Sequence, residues 1–251
     1  TMSPKDLDEA KYIVMATTSG TIKKTDLSDF DNVRRNGLIA IKLKQGDSLE
    51  WVRITTGKDE VMLVTQNGMS IRFNESDIRS MGRVAAGVRG IRMKGEDQVV
   101  GMGVIREGSD ESDHMLMVLT ENGYGKRTKL KEYNVQKRGG TGVKTARVTT
   151  KTGKLITGSV VTKDSKADLM MVSEGGQIIR FDVKSVPTIK RATQGVRVMR
   201  FKKAGDKATS VAMIDTAEQE EEMEEVAKVA EEVTSEKEEQ KSAKNTKSKK
   251  K

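Results

Sequence analysis

The sequence has 251 residues, a formal net charge of +9 and an isoelectric point near 9.5. Aromatic residues are only 3% of the chain, so any core must be built from Val, Ile, Leu and Met. Cysteine is absent and His114 is the only histidine, which disfavours disulfides, zinc clusters and histidine-based nucleophile systems. No apolar run approaches the ~20 residues of a membrane span, so no membrane partner is predicted.

Charge is unevenly distributed along the chain. Residues 216–251 carry a net charge of −3, and the remainder therefore carries +12. This net positive charge favours a polyanionic partner, with nucleic acid ahead of an acidic membrane surface.

A unit of about 50 residues occurs four times. Each copy begins with an apolar run, followed by a hairpin glycine and then a base four residues further on. The runs are Ile13–Thr17, Val61–Thr65, Leu116–Thr120 and Leu169–Ser173; the hairpin glycines are Gly20, Gly68, Gly123 and Gly176; the bases are Lys24, Arg72, Arg127 and Arg180. Asn67-Gly68 and Asn122-Gly123 are typical of tight turns between antiparallel strands.

A second glycine follows in each copy, with bases at fixed distances around it. The glycines are Gly37, Gly87, Gly142 and Gly195; Lys42, Arg92, Arg147 and Arg200 stand five residues later; Arg89, Lys144 and Arg197 stand two residues later; Arg83, Arg138 and Arg191 precede by four, with Arg34 and Arg35 in the shorter first copy. On a regular strand, the side chains two and five residues past the glycine would point to opposite faces. A bulge or curl is therefore expected if both meet one ligand.

A polar turn and a final β-rich strand close each unit, at Leu49–Ile54, Val99–Ile105, Leu155–Val161 and Thr209–Ile214. About four short strands in ~50 residues is the size of a propeller-type blade, so the pattern predicts an all-β fold. The predicted blades span about 11–55, 56–106, 113–162 and 165–215, after a flank at 1–10. Trp51 lies on a closing strand, where a packing role is expected ahead of ligand stacking.

The segment Gln136-Lys137-Arg138-Gly139-Gly140-Thr141-Gly142 is the densest candidate for anion binding. Its glycines let backbone N–H groups approach a phosphate, while Lys137 and Arg138 supply charge and Gln136 a neutral donor. Each base taken singly reads as a solvated surface group. Because the bases recur at equivalent positions of four blades, they are predicted to form a row along one edge. Such a row suits the regularly spaced phosphates of a duplex, which carries one charge per ~1.7 Å of axis. Because aromatic residues do not interleave with the bases, stacking on single strands is disfavoured.

These motifs resemble the blades of the C-terminal domain of the DNA gyrase A subunit. The resemblance covers roughly residues 11–215 and is carried by Gly20–Thr25, Gly87–Arg92, Asn122–Thr128 and Thr193–Val196. Gln136–Gly142 is similar to the family's signature box, with Lys137 in place of an arginine and Thr141 where a base is usual.

The resemblance implies a β-pinwheel whose basic perimeter bends duplex DNA. Family members usually have six blades and carry the box in the first, whereas four blades are visible here and the box lies in the third. We therefore expect a piece lacking two blades, with an open arc or exposed edge pairing at 11–17. The related topoisomerase IV subunit is the close alternative, and a protein-interaction propeller is a second one. An enzyme with an active site on the rim has no acid–base constellation behind it.

The resemblance also implies partners and cellular location. The fragment would be a DNA-wrapping module without catalytic residues, metal or cofactor of its own. ATP and magnesium would belong to other domains of a cytoplasmic A2B2 holoenzyme, formed with the gyrase B subunit and the rest of the A subunit, which makes negative supercoils.

The tail begins after Asp215. Residues 217–239 hold 11 acids and two lysines, and residues 241–251 hold six lysines and no acid. Its composition predicts a disordered segment. One weak helix, striped by Met223, Val226, Ala230 and Val233, is the alternative.

Overall fold

The computed structural model describes residues 9–31, 35 and 37–214; Arg34 and the tail therefore lie outside the described residues. Within this part, the chain forms fifteen strands and five one-turn 3₁₀ helices. The strands are β1 Tyr12–Thr17, β2 Thr21–Asp26, β3 Leu49–Thr55, β4 Glu60–Thr65, β5 Met69–Asn74, β6 Val88–Arg89, β7 Val99–Ile105, β8 His114–Thr120, β9 Tyr124–Lys129, β10 Val143–Lys144, β11 Leu155–Thr162, β12 Asp168–Ser173, β13 Ile178–Asp182, β14 Val196–Arg197 and β15 Ala208–Ile214. The 3₁₀ helices are Leu27–Phe30, Glu75–Asp77, Glu111–Asp113, Leu130–Glu132 and Val183–Ser185.

The strands form four antiparallel sheets, one for each repeat. Their strand orders are β3-β1-β2-β6, β10-β5-β4-β7, β11-β8-β9-β14 and β13-β12-β15. In every sheet a tight hairpin joins two strands at the predicted hairpin glycine, which has a positive φ of 76–82°. The prediction of an all-β pinwheel is therefore confirmed.

In repeats two to four, the segment after the second glycine leaves its own repeat and joins the sheet of the repeat before it. We call residues 37–42, 87–92, 142–147 and 195–200 the crossover segments. Thus β6, of the second repeat, pairs with β2 of the first, and β10 and β14 continue the pattern. The repeat pattern had predicted these segments inside their own blades. Strands β6, β10 and β14 are each only two residues long, so the bases two and five residues past the glycine do not lie on one strand. The expected bulge or curl is therefore not needed.

The hairpin glycine carbonyl is the anchor of each crossover segment. Gly20 O accepts hydrogen bonds from the N–H groups of Gly90 and Ile91, at 2.8 and 3.4 Å. The third and fourth crossover segments bind Gly68 O and Gly123 O in the same way. One hairpin and the crossover segment that lies on it form what we call a junction, and the described chain contains three.

The exposed edge that was expected and the one that is found lie in different sheets. Strand β1 lies between β3 and β2, so the expected edge pairing at 11–17 is wrong. Strand β13 instead has no crossover partner among the described residues, and the first crossover segment belongs to no ladder there.

The hydrophobic core lies between neighbouring sheets and forms three clusters. One joins repeats one and two around Val14 and Leu63, the next joins two and three around Val64 and Leu116, and the last joins three and four. Trp51 packs against the first cluster, in line with its predicted packing role. Neighbouring sheets approach so closely that a Cβ on Gly101 would lie 2.0 Å from the carbonyl oxygen of Gly158.

Gly142 provides a test of the junction geometry. We expect Gly142→Ala to lower the free energy of unfolding by about 2 kcal/mol more than Gly46→Ala. Both residues have positive φ, at 69° and 76°. A Cβ at Gly142 would lie 2.1 Å from Ser70 O, whereas a Cβ at Gly46 meets nothing within 4 Å. Urea unfolding of both variants measures the difference, and equal losses would show that the close approach carries no cost.

Candidate nucleic-acid interface

Three of the four bases that stand four residues past the hairpin glycines lie inside the junctions. Lys24, Arg72 and Arg127 are only 6–7% exposed. Lys24 Nζ donates to Glu75 O at 3.0 Å and lies 3.9 Å from a Glu75 carboxylate oxygen. Burial lowers the pKa of Lys24, and Glu75 opposes that shift.

Arg72 and Arg127 are held by several acceptors each. Arg72 donates to Glu60 Oε2 at 2.6 Å and to Tyr133 O at 3.1 Å, and it pairs with Glu111. Arg127 donates to backbone carbonyls of the following repeat. The repeat spacing had predicted these cations in the DNA-contact row, but they bind protein acceptors and do not reach the surface.

Arg180 is the fourth member of this set and behaves differently. Its side chain is 50% exposed and donates to Asp168 Oδ2 at 2.6 Å. No described repeat follows it to cover the guanidinium.

Two buried lysines, which the repeat spacing did not single out, support the loops that lead into crossover segments. Lys126 is 1% exposed, and its Nζ donates to the carbonyl oxygens of Lys190 and Arg191 and to Thr193 Oγ1. Lys23 is fully buried and donates likewise to Ala40 O and Arg83 O. Burial lowers the pKa of Lys126 to about 8. Each lysine occupies the third position past a hairpin glycine, a weak signal because Ile71 stands there in the second repeat.

Backbone hydrogen bonds fix the glycine-rich loop to the second repeat. Gln136 N donates to Arg72 O at 2.7 Å, and Gly139 N donates to Gly90 O at 2.6 Å. Gly140 O accepts from Arg92 N at 2.7 Å. The loop is therefore preorganised by its neighbour, with Gly139 at a φ of 78°.

The side chains of the loop divide into anchors and exposed groups. Arg138 donates through Nε to Asp77 O and through Nη1 to Arg89 O, at 2.9 and 3.1 Å. Lys137 is 91% exposed, with Asp77 2.9 Å away. Of the two remaining polar side chains, Gln136 is half-buried and Thr141 is exposed.

Arg191 repeats the role of Arg138 one junction later. Its Nη1 donates to Lys144 O at 2.7 Å, as Arg138 does to the equivalent Arg89 carbonyl. Arg83, the third member of this set, is also half-buried. Arg138 and Arg191 therefore join successive crossover segments as well as adding charge.

The remaining predicted bases are exposed. This set comprises Lys42, Arg89, Arg92, Lys137, Lys144, Arg147, Arg197 and Arg200, with Arg35 exposed in the first repeat. Within the described residues, the side chains of Arg92, Arg147 and Arg200 make no hydrogen bond or ion pair. Arg197 donates to the Tyr124 hydroxyl at 3.0 Å and lies over its ring, 5.3 Å from the centroid.

Backbone contacts connect the crossover segments into one row. Lys42 N donates to Ala85 O at 3.2 Å, and Arg147 N donates to Thr193 O at 3.0 Å. Together with the Arg92 N to Gly140 O bond, they join each of the first three crossover segments to the loop of the next repeat. We call the exposed bases on the four segments the crossover row.

Open clefts lie beside the row at the first and third junctions. The first has a volume of about 710 Å³ and is lined by Lys44, Arg89 and Arg92. The cleft at the third junction has a volume of about 330 Å³ and is lined by Arg197, Arg200 and Lys203. Equivalent crossover bases thus line equivalent hollows, where an anion can approach several cations at once.

The sequence matches the protein family described as "DNA gyrase C-terminal domain, beta-propeller" over residues 11–56, 59–106, 114–162 and 167–215. The chain belongs to this family. It is 44% identical over 198 residues to the DNA gyrase A subunit of Staphylococcus epidermidis (strain ATCC 12228), covering 78% of this chain and 22% of that protein. The chain thus spans less than a quarter of this relative.

Solved structures support the same family. The C-terminal domain of DNA topoisomerase IV matches with a TM-score of 0.73 and 28% identity, over 82% of this chain and 62% of that one. A DNA gyrase A C-terminal domain matches with a TM-score of 0.70 and 26% identity, over 85% and 69%. Among the described residues of this family member, no helix is long and apolar enough to cross a membrane.

Arg72 and Arg180 allow the junction role to be tested at equivalent positions. We expect Arg72→Met to lower the free energy of unfolding by about 3–5 kcal/mol, because Glu60 and the Tyr133 carbonyl lose their donor in a buried setting. Arg180→Met should cost at most about 1 kcal/mol, since its ion pair is solvated. Urea denaturation measures both values, and a similar loss for the two variants would contradict the assignment.

Lys126 gives a prediction about pH. At neutral pH we expect Lys126→Met to lose about 1–3 kcal/mol of unfolding free energy, because two loop carbonyls lose their donor. Burial lowers the folded-state pKa to about 8 from 10.5. As the pH rises, Lys126 therefore loses its proton at a lower pH in the native state than in the unfolded state. Its contribution to the free energy of unfolding increases between about pH 8 and 10.5.

Urea midpoints of the wild type and Lys126→Met, measured across that window, should diverge as the pH rises. Lys129→Met removes an exposed lysine from the same strand and serves as the control. A gap between Lys126→Met and wild type that does not change with pH would contradict the assigned titration.

Proposed function

We propose that this domain binds duplex DNA along the crossover row and bends it around the outside of the stacked sheets. The observation that carries the proposal is the set of lateral backbone bonds between crossover segments. They support a continuous row because Lys42, Arg92 and Arg147 each donate a backbone N–H to the loop of the next repeat. Exposed cations at matched positions of rigid units favour a regularly charged polyanion over a globular acidic protein.

The chemistry of the row favours contact with phosphates and not with bases. Its members are lysines and arginines. Of the nearby aromatic rings, Tyr124 already faces Arg197 and Lys151, and Phe201, which lines the cleft at the third junction, packs against the core. Without free aromatic platforms, stacking of splayed bases has little support. Phosphate contacts position a duplex without reading its sequence, so binding is expected to be sequence-tolerant.

The proposed context is the A subunit of DNA gyrase. In that context the domain is an accessory module of a cytoplasmic A2B2 enzyme, and the B subunit hydrolyses ATP with magnesium to drive negative supercoiling. The Staphylococcus epidermidis relative, a DNA gyrase A subunit, supports this assignment. Topoisomerase IV is the second candidate, because a topoisomerase IV C-terminal domain matches this fold with a TM-score of 0.73.

Arg92, Arg147 and Arg200 provide the test of DNA binding. We expect the triple change of these residues to Gln to weaken duplex binding and to flatten the salt dependence. Each lost phosphate contact should reduce the slope of log K against log salt by about 0.9. Fluorescence anisotropy over a salt series measures the slope, and energy transfer between labelled DNA ends measures bending.

A matched control changes Arg53, Lys58 and Lys163 to Gln, which removes the same charge from exposed positions outside the crossover segments. This variant should keep most of the slope and the bend. If both triple variants lost the same amount of salt slope and bending, net charge alone would explain the binding. That result would overturn the crossover row as the binding site.

A further inference from the structure

Each four-stranded sheet has two different edges. A crossover strand forms one edge and the last strand of the repeat, the closing strand, forms the other: β6 and β3, β10 and β7, β14 and β11. At the crossover edge, a loop of the next repeat is bonded between neighbouring segments, through Arg92 N to Gly140 O and Arg147 N to Thr193 O. This loop keeps neighbouring sheets apart along the crossover row.

The closing edges of the second and third sheets have no such spacer between them. A Cβ on Gly101 of β7 would lie 2.0 Å from Gly158 O of β11, and a Cβ on Gly103 would lie 2.3 Å from a Val160 methyl group. A Cβ on Gly158 would in turn lie 2.7 Å from the side chain of Val64. The backbones of β7 and β11 are therefore in direct contact, and the two sheets form a wedge that narrows away from the crossover row.

Side chains occupy the equivalent positions of the other two interfaces. The ladder registers pair one closing-strand position with the residue four before the hairpin glycine, and these residues are Trp51, Gly101 and Thr157. The facing position of the next repeat pairs with the residue five before it, and these residues are Met102, Gly158 and Val211. Trp51 and Met102 pack in the first core cluster, and Val211 packs against the last. Of the three described interfaces, the middle one alone has glycine on both sides.

We propose that Gly101, Gly103 and Gly158 set the curvature that this domain imposes on a bound duplex. This inference rests on the proposed function, because the crossover row is the surface along which the duplex would lie. All three junctions hold the crossover edge with the same pair of backbone bonds. The spacing at the closing edge is then what sets the angle between neighbouring sheets, and the three glycines make it smallest at the middle interface. They are positioning residues, since they lie at the edge opposite the crossover row.

The size of the effect follows from the dimensions of the sheets. A methyl group on Gly101 would force β7 and β11 apart by on the order of 1 Å, because non-bonded atoms pack at about 3.5 Å. With ~4.8 Å between strands, a four-stranded sheet is about 14 Å wide. Opening one edge while the other stays fixed therefore rotates the sheets by about 4–6° and straightens the crossover row.

The first experiment measures this rotation in the full 251-residue chain without DNA. The chain contains no cysteine, so Ser28→Cys and Lys184→Cys place spin labels at equivalent exposed positions of the first and last repeats. In this background, Gly101→Ala and Gly103→Ala should each lengthen the mean distance between the labels by about 2 Å, as read by double electron–electron resonance. Gly82→Ala is the matched control, because Gly82 lacks a positive φ and a Cβ there meets nothing within 4 Å.

A size swap separates the proposed wedge from a general loss of structure. The methyl group added by Gly103→Ala collides with the side chain of Val160, so Val160→Gly removes the obstacle. The double variant should return the label distance to that of the wild type. An unchanged distance in Gly103→Ala, or a distance or a loss of folding that the double variant does not restore, would overturn the inference.

The second experiment measures bending by energy transfer between the ends of a labelled duplex. Gly103→Ala should reduce the transfer while the slope of log K against log salt stays at the wild-type value, because no cation is changed. The double variant with Val160→Gly should recover the transfer. A wild-type domain that does not bend the duplex would overturn the proposed function itself. Equal transfer for a bending wild type and Gly103→Ala would overturn the role of the glycines alone.

Discussion

The hydrogen bonds to the carbonyl of each hairpin glycine are the interaction on which the rest of the structure depends. Two successive N–H groups of the next repeat's crossover segment point at the Gly20, Gly68 and Gly123 oxygens. Repeats two to four therefore each complete the sheet of their predecessor, and neighbouring blades share strands. In such a fold, stability is close to a sum of repeat and neighbour terms, and a change in one junction should act mainly on the two repeats it joins.

The same arrangement sorts the basic residues into two groups. Cations on the second hairpin strand, such as Arg72, lie under the next repeat and bind its carbonyls. Cations on the crossover segment, such as Arg92, stay exposed. Burying a charge is costly unless acceptors replace water, and here backbone carbonyls and Glu60 supply them. The charge that holds the repeats together is thus distinct from the charge available to a ligand.

The periodic pattern predicted the fold class, the hairpins and the four-fold repetition, because apolar runs and turn glycines depend on local backbone geometry. The exchange of crossover segments was not predictable from that pattern, since a two-residue ladder such as Val88–Arg89 leaves almost no periodic signal. The burial of Lys24, Arg72 and Arg127 followed from that exchange and was missed with it. Spacing alone treats Arg72 and Arg92 as equivalent bases, and only the tertiary arrangement separates them.

A rigidly placed crossover row would let the domain bend DNA, because the cations would keep their positions and would not shift to follow a straight duplex. Bending a site of 20–30 base pairs costs about 1–6 kcal/mol, so loosely held cations would follow a straight duplex. Here the backbone of Arg92 is tied to Gly140 and that of Arg147 to Thr193, while Lys126 and Arg138 fix the adjoining loops. The exposed side chains can adapt to individual phosphates, but the path they follow is set by the stacking of the sheets. The curvature imposed on a bound duplex should therefore depend on the junctions as much as on the charges.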